Sequence, residues 1–509
     1  MNWSNVQDMP IPHYHNVRDD EVEDILKYNL NDVMSTYAFY IKSKEQIQMR
    51  IALSKEYKLS LINANDPKIG SEIFAKLLSI DMEIPIDQLK QMRTPREIIN
   101  LNDCILPYVE FKSSSFKALL IFLKSQNISE TKGFFTNIPI NNCKTIIDYV
   151  NPNTIKPNGK LESLNIRYHN VDFFFGTGGL HSACESGIYK SDNDYIIKSA
   201  DVKSYYPNLS INNDFRPEHL GISFTKIYKG IYDKRVTTPK GSALNTAFKL
   251  MLNGSYGKSN DEHSFLYDPL FTMCITINGQ LLLTMLIEEI TLNIPDCKIL
   301  MVNTDGFECR FHKKYINIYN NICDKWQQLT KLELEFVDYK LLIIRDVNSY
   351  ISVSENDKIK SKGTFEINKD WHKDHSMKIV PKALEAYYVY GIPVEETIMK
   401  STDIYDFTLS MKVTRGWTAI NRRLINGEYI EDKLQKNNRY LITNRGGTLM
   451  KIHADGREFN VEKSFNVTVF NQYYACEEFS CYDINYNYYI REAYKIINVI
   501  SNNNQLNLF

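Results

Sequence analysis

Two apolar runs flank Thr-Asp-Gly in KILMVNTDGFECRF, residues 298–311. Asp-Gly favours a tight two-residue turn because both residues tolerate positive φ. The pattern predicts a buried hairpin with its turn near Asp305, so the carboxylate is presented at an exposed tip. Such a hairpin needs covering elements, and the rest of the chain offers them. DDEVEDILKYNLNDVMSTYAFYI and SEIFAKLLSI, within residues 20–125, place apolar residues near helical spacing, interrupted at Pro95 and Pro107. KGSALNTAFKLMLNGSY at 240–256 and NGQLLLTMLIEEI at 278–290 predict two further helices. VDFFFGTGGLHSA and YIIKSADVKSYY read as strands, and beyond 360 helix and hairpin mix, with NRGG at 444–447 as a turn. The expected class is α+β. NPNTIKPNGKLESLN, residues 151–165, is a Pro/Asn/Gly-rich connector and the expected domain boundary.

A length of 509 residues allows three or four domains, and 43% hydrophobic residues suffice for real cores. With 60 basic and 61 acidic side chains, the chain is not coated in positive charge, which leaves room only for a local basic cleft. The nine cysteines are scattered, the closest pair being Cys476 and Cys481, so neither a zinc site nor a disulfide framework is indicated and a reduced compartment is expected. The N-terminal segment is acidic and has no apolar run, unlike a secretory leader. No run of 18 consecutive apolar residues occurs, so no membrane span and no membrane partner are expected.

Three short motifs carry chemistry. DVKSYYP, 201–207, puts Asp201 at a strand end, followed by two aromatics and a proline expected to stop the strand. KLMLNGSYG, 249–257, places Lys249, Asn253 and Tyr256 at i, i+4 and i+7 on one helix face, with Gly257 ending the helix. That face offers a cation for phosphates, an amide donor and an aromatic surface for a base. NTDG, 303–306, is the hairpin tip. Each motif alone has a plain structural account as a strand end, a solvated helix face or a turn.

Taken in order, the three resemble the motifs of the family B DNA polymerases, DxxSLYP, KxxxNSxYG and DTDS. Asp201, Ser204, Tyr206 and Pro207 match the first, Lys249, Asn253, Tyr256 and Gly257 the second, and Thr304 and Asp305 the third. Tyr205, Gly254, Asn303 and Gly306 depart from the pattern, and of these only Asn303, in place of the first acid of the third motif, touches the chemistry. GTGGLHSA, 176–183, is similar to the glycine-rich segment before the polymerase domain, implying that Gly178 and Gly179 meet template phosphates. KSKG, 360–363, is similar to the palm-to-thumb segment, implying that Lys360 and Lys362 grip duplex DNA. The resemblance covers residues 170–400 well.

It implies a right-hand polymerase with palm, fingers and thumb plus an N-terminal exonuclease remnant. The expected layout is a remnant at 1–45, an N-terminal or linker region at 46–165 and a first palm part at 166–214. Fingers at 215–265, a second palm part at 266–362, a thumb and C-terminal region at 363–500 and a tail at 501–509 complete it. Two Mg²⁺ ions, with Mn²⁺ as alternative, are implied at Asp201, Asp305 and the carbonyl of Val202. Lys249, Arg235 and Lys240 would bind the triphosphate of a dNTP, Ser204 and Asn253 would line its site, Tyr206 would exclude a 2′-hydroxyl, and Tyr256 would pack near the nascent pair.

The ends carry two more resemblances. Tyr28 and Asp32 in YNLND look like YxxxD, the last exonuclease motif, but only 27 residues precede it. A split enzyme with a separately encoded exonuclease chain is therefore expected. The terminal Gln505, Leu506, Leu508 and Phe509 are similar to the QLxLF peptide that docks on a bacterial sliding clamp, expected here as an irregular tail. Together these imply a bacteriophage enzyme acting in the cytoplasm of an infected host, with primer–template DNA as partner. The alternatives are a non-catalytic DNA-binding subunit, or a protein-primed polymerase, for which the 48-residue separation of Asp201 and Lys249 leaves little room.

Overall fold

The computed structural model describes every residue except 1, 2, 4, 12, 13, 170, 184, 462, 464, 472–481 and 507–509, and only the backbone of 502–506. It is a mixed α+β structure. The chain divides into two compact units, one formed by residues 45–347 and 352–358, the other by 1–44, 348–351 and 359–509.

Helix α1, Val22–Tyr57, contributes to both units. In the larger unit it is followed by α2, Asp66–Asp81, whose start is fixed by the Asn65 side chain accepting from the Lys68 N–H. After α3, Ser114–Lys124, come the antiparallel strands β1, Asn165–Tyr168, β2, Val171–Gly176, and β3, Gly179–Ser182. The expected connector 151–165 lies inside this unit, not between units: Leu161 and Leu164 are fully buried.

Strands β4, Gly187–Lys190, and β5, Tyr195–Val202, lead into α4, Tyr205–Asn213, α5, Gly221–Thr237, and α6, Ala243–Lys258. Helix α7, Pro269–Asn293, then crosses the core before β6, Lys298–Asn303, β7, Gly306–His312, α8, Ile316–Thr330, and β8, Leu334–Asp346. The central sheet has the order β6-β7-β5-β8, with β4 also on β8, and all these pairs are antiparallel. One core lies between this sheet, α7, α8 and the 99–180 region. A second gathers the end of α1 with α2, α5, α6 and the start of α7.

Helix α7 is apolar on all sides because it is buried on all sides. By length and composition it could cross a membrane, although polar residues keep its apolar run from being unbroken, but 89% of its most apolar window is buried within the protein. The polar residues that break the run are satisfied internally. Asn278 donates to the carbonyls of Cys104 and Cys274, and Gln280 donates to Thr276 O while accepting from the Gly176 N–H at 2.9 Å. The core helix therefore holds the glycine-rich hairpin β2–β3 in place.

In the smaller unit, β9, Leu409–Lys412, β10, Trp417–Ile425, β11, Glu428–Leu434, and β12, Asn437–His453, form a sheet in the order β9-β12-β10-β11. NRGG is not a turn here. It lies within β12 at a register shift, where Gly446 packs on the Val467 backbone and Gly447 on Asn421, approaches that a Cβ would block. Helices α9, Ile379–Tyr390, α10, Val394–Met399, and α11, Tyr486–Leu506, complete the unit. The asparagine run at 502–504, expected as an irregular tail, is helical in its backbone.

Candidate active site

Strand β5 is flanked by β7 and β8, and one register row runs Gly306–Asp201–Glu335 across the three. Directly opposed residues share a face, so Asp201 and Glu335 project to the same side. Gly306 leaves that side open: a Cβ there would overlap Oδ1 of Asp201 and stand 2.7 Å from the Ala200 carbonyl. Asp305 sits in the turn between β6 and β7, and its carbonyl accepts the Val202 N–H at 2.6 Å. The hairpin tip is thus tied to the strand end that carries Asp201.

Thr304 locks the same turn onto the glycine-rich hairpin. Its hydroxyl donates to the Gly178 carbonyl at 3.2 Å and stands 3.5 Å from Nε2 of His181. Gly179 has φ +120°, and a Cβ on it would lie 2.6 Å from the Thr304 methyl. Only glycine gives both the conformation and the clearance. Burial holds His181 below the usual histidine range, so a neutral ring packs here.

After Val202 the chain reverses sharply. Ser204 adopts a left-handed conformation, φ 48° and ψ 51°, and α4 begins with Tyr205. Pro207 does not stop the strand as expected. It sits in the first turn of α4, where a missing N–H costs no hydrogen bond. Tyr206 packs 4.8 Å from the ring of Tyr256 and against Gly279 of α7, where a Cβ would come within 2.9 Å of its Cε1. Its hydroxyl is buried without a hydrogen-bond partner among the described residues. Burial, then Tyr256 and Asp305, push the Tyr206 phenol above its usual range. Tyr256 is fixed by Thr276, 2.6 Å away, and reaches the Thr177 carbonyl at 3.4 Å.

Helix α6 buries Phe248, Met251, Leu252 and Ser255 and exposes Lys249, Asn253 and Gly257. Gly257 does not end the helix. It lies inside the last turn, and Ser259 is the C-cap. Lys249 makes no ion pair among the described residues, leaving its ammonium available. Beside α4 a cleft of about 320 Å³ is lined by Lys203, Ser204, Arg235, Lys240, Asn245 and Glu335. Arg235 donates to Ser204 Oγ at 2.9 Å, and Lys240 reaches Glu335 at 3.3 Å. A concave site with three cations suits a polyanionic ligand.

Lys360 and Lys362 belong to the smaller unit, where Lys360 lies over the Tyr350 ring and the Lys362 N–H donates to the Tyr350 carbonyl. Tyr28 and Asp32 are on α1, Asp32 exposed and Tyr28 half-buried. Leu508, Phe509, Cys476 and Cys481 lie outside the described residues, as do the side chains of Gln505 and Leu506.

Three further residues shape the site without belonging to the three motifs. Glu335 shows in the sequence only as an alternation in LELEF, Gly279 only as a lone glycine inside a helical pattern, and His181 only as a member of the glycine-rich segment GTGGLHSA. Among the described residues no group of three or more His, Cys, Asp or Glu converges as a metal cage. The backbone hydrogen bond from Val202 to Asp305 brings the segments of the two carboxylates Asp201 and Asp305 together, a donor set of the chemical type Mg²⁺ takes, since it binds through one or two carboxylates with phosphates and water completing its shell. Compared with known proteins, the chain matches no family model and no curated protein significantly.

Proposed function

We propose that this chain is a template-directed DNA polymerase of the family B type that adds dNTPs to a primer 3′-hydroxyl. One observation carries the proposal: four segments far apart in sequence meet at one place. Val202 binds Asp305, Tyr206 packs on Tyr256, Thr304 binds Gly178, and Tyr256 reaches Thr177. A strand end, a hairpin turn or a wet helix face alone would not need the other three.

On this proposal the central sheet acts as palm, α5 and α6 as fingers, and the smaller unit supplies the thumb. Asp201 and Asp305, with the Val202 carbonyl, would hold the ions. Bound Mg²⁺ supplies charge stabilisation to the attacking and leaving oxygens. Arg235, Lys240 and Lys249 bind the triphosphate and neutralise its charge, with Ser204 and Asn253 beside it. Tyr206, wedged between Tyr256 and Gly279, forms a wall against a 2′-hydroxyl. Gly178 and Gly179 present backbone to template phosphates, while Lys360 and Lys362 contact duplex phosphates. Base pairing selects the nucleotide.

The partners follow as further proposals. They are primer–template DNA, a separate exonuclease chain and, through Gln505, Leu506, Leu508 and Phe509, a bacterial sliding clamp in an infected cell. The test is extension of a primed template with dNTPs and Mg²⁺, beside Asp305→Ala. Templated extension lost in the variant is expected; no extension with Mg²⁺ or Mn²⁺ would instead favour a non-catalytic DNA-binding role.

A further inference from the structure

Helix α1 exposes the wrong face for a chain that acts alone. Over residues 22–44 the side turned toward its own unit carries Ile25, Tyr28, Asn31, Ser35 and Ala38, all half-buried, and Asn31 is bound by Trp3 and binds the Asn5 carbonyl. The opposite side carries Leu26, Leu30, Val33, Tyr37, Tyr40 and Ile41, each 46–64% exposed. At ~100° per residue these six fall within a ~100° arc, a continuous apolar stripe. Val22 and Met34 extend it, both exposed. Single exposed apolar residues are ordinary, but a stripe five turns long marks an interaction surface.

The charges beyond its ends identify the occupant. Before the stripe stand the exposed Asp19, Asp20, Glu23 and Asp24, only partly offset by Arg18 and Lys27. After it stand the exposed Lys42 and Lys44, followed by Glu45, whose carboxylate accepts from the Ala243 N–H. An acidic start and a basic end repel a parallel copy and attract an antiparallel one. We propose that a second copy of this chain covers the stripe, the two α1 segments pairing antiparallel about a twofold axis between residues 31 and 32. In that register Leu26 meets Tyr37, Leu30 meets Val33, Val22 meets Ile41, and Asp19 meets Lys44 of the other copy. Each contact occurs twice, as an isologous interface requires. Eight large apolar side chains from each copy are on the scale of specific interfaces, which begin at roughly 1,200 Å² in total. The pairing is independent of the catalytic assignment, and YxxxD residues Tyr28 and Asp32 lie off the stripe.

Size-exclusion chromatography with light scattering on the full chain tests the pairing. The native protein should show the dimer mass at tens of micromolar and dissociate on dilution. Leu26→Asp/Leu30→Asp/Val33→Asp should be monomeric, with a cooperative thermal transition that no longer depends on protein concentration, because all three positions are exposed. Lys44→Glu should weaken the dimer about three- to tenfold, as expected for one exposed pair made twice, and adding Asp19→Lys should restore it. A native monomer at 100 µM would overturn the pairing and leave the stripe to a different polypeptide. A dimer indifferent to the triple substitution would overturn it too, as would charge reversal that weakens without rescue.

Discussion

Gly279→Ala places one methyl group where the structure has least room for it. The new Cβ would stand 2.9 Å from Cε1 of Tyr206, 3.6 Å from its Cδ1 and 3.5 Å from Cδ1 of Leu209. Carbon pairs pack best at about 3.5–4.0 Å, so the Tyr206 ring must withdraw by roughly 0.6–1 Å. It cannot do so freely, because Tyr205 stacks on one side and Tyr256 leans on the other. Overpacking of this kind typically costs about 1–3 kcal/mol, while alanine recovers up to about 1 kcal/mol of helix propensity. The net destabilisation should be about 0–3 kcal/mol, a thermal shift of several degrees at most. The functional effect should be larger, since a misplacement of about 1 Å can cost on the order of a hundredfold. Single-nucleotide incorporation with a dNTP and its NTP counterpart should show a dNTP efficiency lowered about 10–100-fold and weaker sugar discrimination. Efficiency within twofold of native, with discrimination and melting unchanged, would mean that Tyr206 does not wall the nucleotide site as argued.

Asp201→Asn and Asp305→Asn should each reduce extension by about a thousandfold or more without lowering the melting temperature, read by primer extension and calorimetry. Glu335→Gln removes the counter-charge of exposed Lys240 and should lower the KM for dNTP by about two- to fivefold, as expected for a weak surface pair. Asp268→Ala leaves Arg96 beside a buried gap, because Asp268 is 1% exposed and accepts from both Nε and Nη2. Urea denaturation should show a loss of about 3–5 kcal/mol. His219 is neutral when folded: its Nε2–H donates to the Phe265 carbonyl, Nδ1 accepts from Thr94, and burial depresses its pKa below 6.5. The unfolded chain therefore binds a proton that the folded one refuses, so stability is full above about pH 6.5 and falls as the pH drops toward the folded value. Denaturation midpoints at pH 7.5 and 5.5 should differ less for His219→Gln than for the native protein, with His181 keeping part of the slope.

Local signals were legible where one segment decides its own structure. The apolar runs around Asp305 became β6 and β7, and the pattern at 240–256 became α6, Ala243–Lys258. The helix read from residue 278 in fact begins at Pro269, since burial on every side erases the amphipathic period that marks a helix start. Pro207 was misread because a strand end and a helix first turn both accept proline, and Gly257 because a helical glycine near a terminus looks like a cap. NRGG reads as a turn until Val467 and Asn421 arrive from elsewhere to fill the space the glycines leave. The row Gly306–Asp201–Glu335 and the seat of Tyr206 on Gly279 depend on pairing between distant segments. No local pattern encodes such register.

The hydrogen bond from Val202 to the Asp305 carbonyl joins neighbouring strand ends, so the spacing of the two acidic residues is built like a gauge block. Motion of the sheet carries both residues together, because the turn that holds Asp305 is tied at its backbone to the strand end that holds Asp201. On the polymerase proposal, discrimination among substrates then falls to side chains off the sheet, Arg235 on α5 and Lys249 on α6, and to the packed tyrosine pair. If the polymerase proposal holds, fixed spacing on the sheet and grip on the helices divide the labour, and substitutions on the helices should alter which substrate is accepted before they alter the chemistry performed on it.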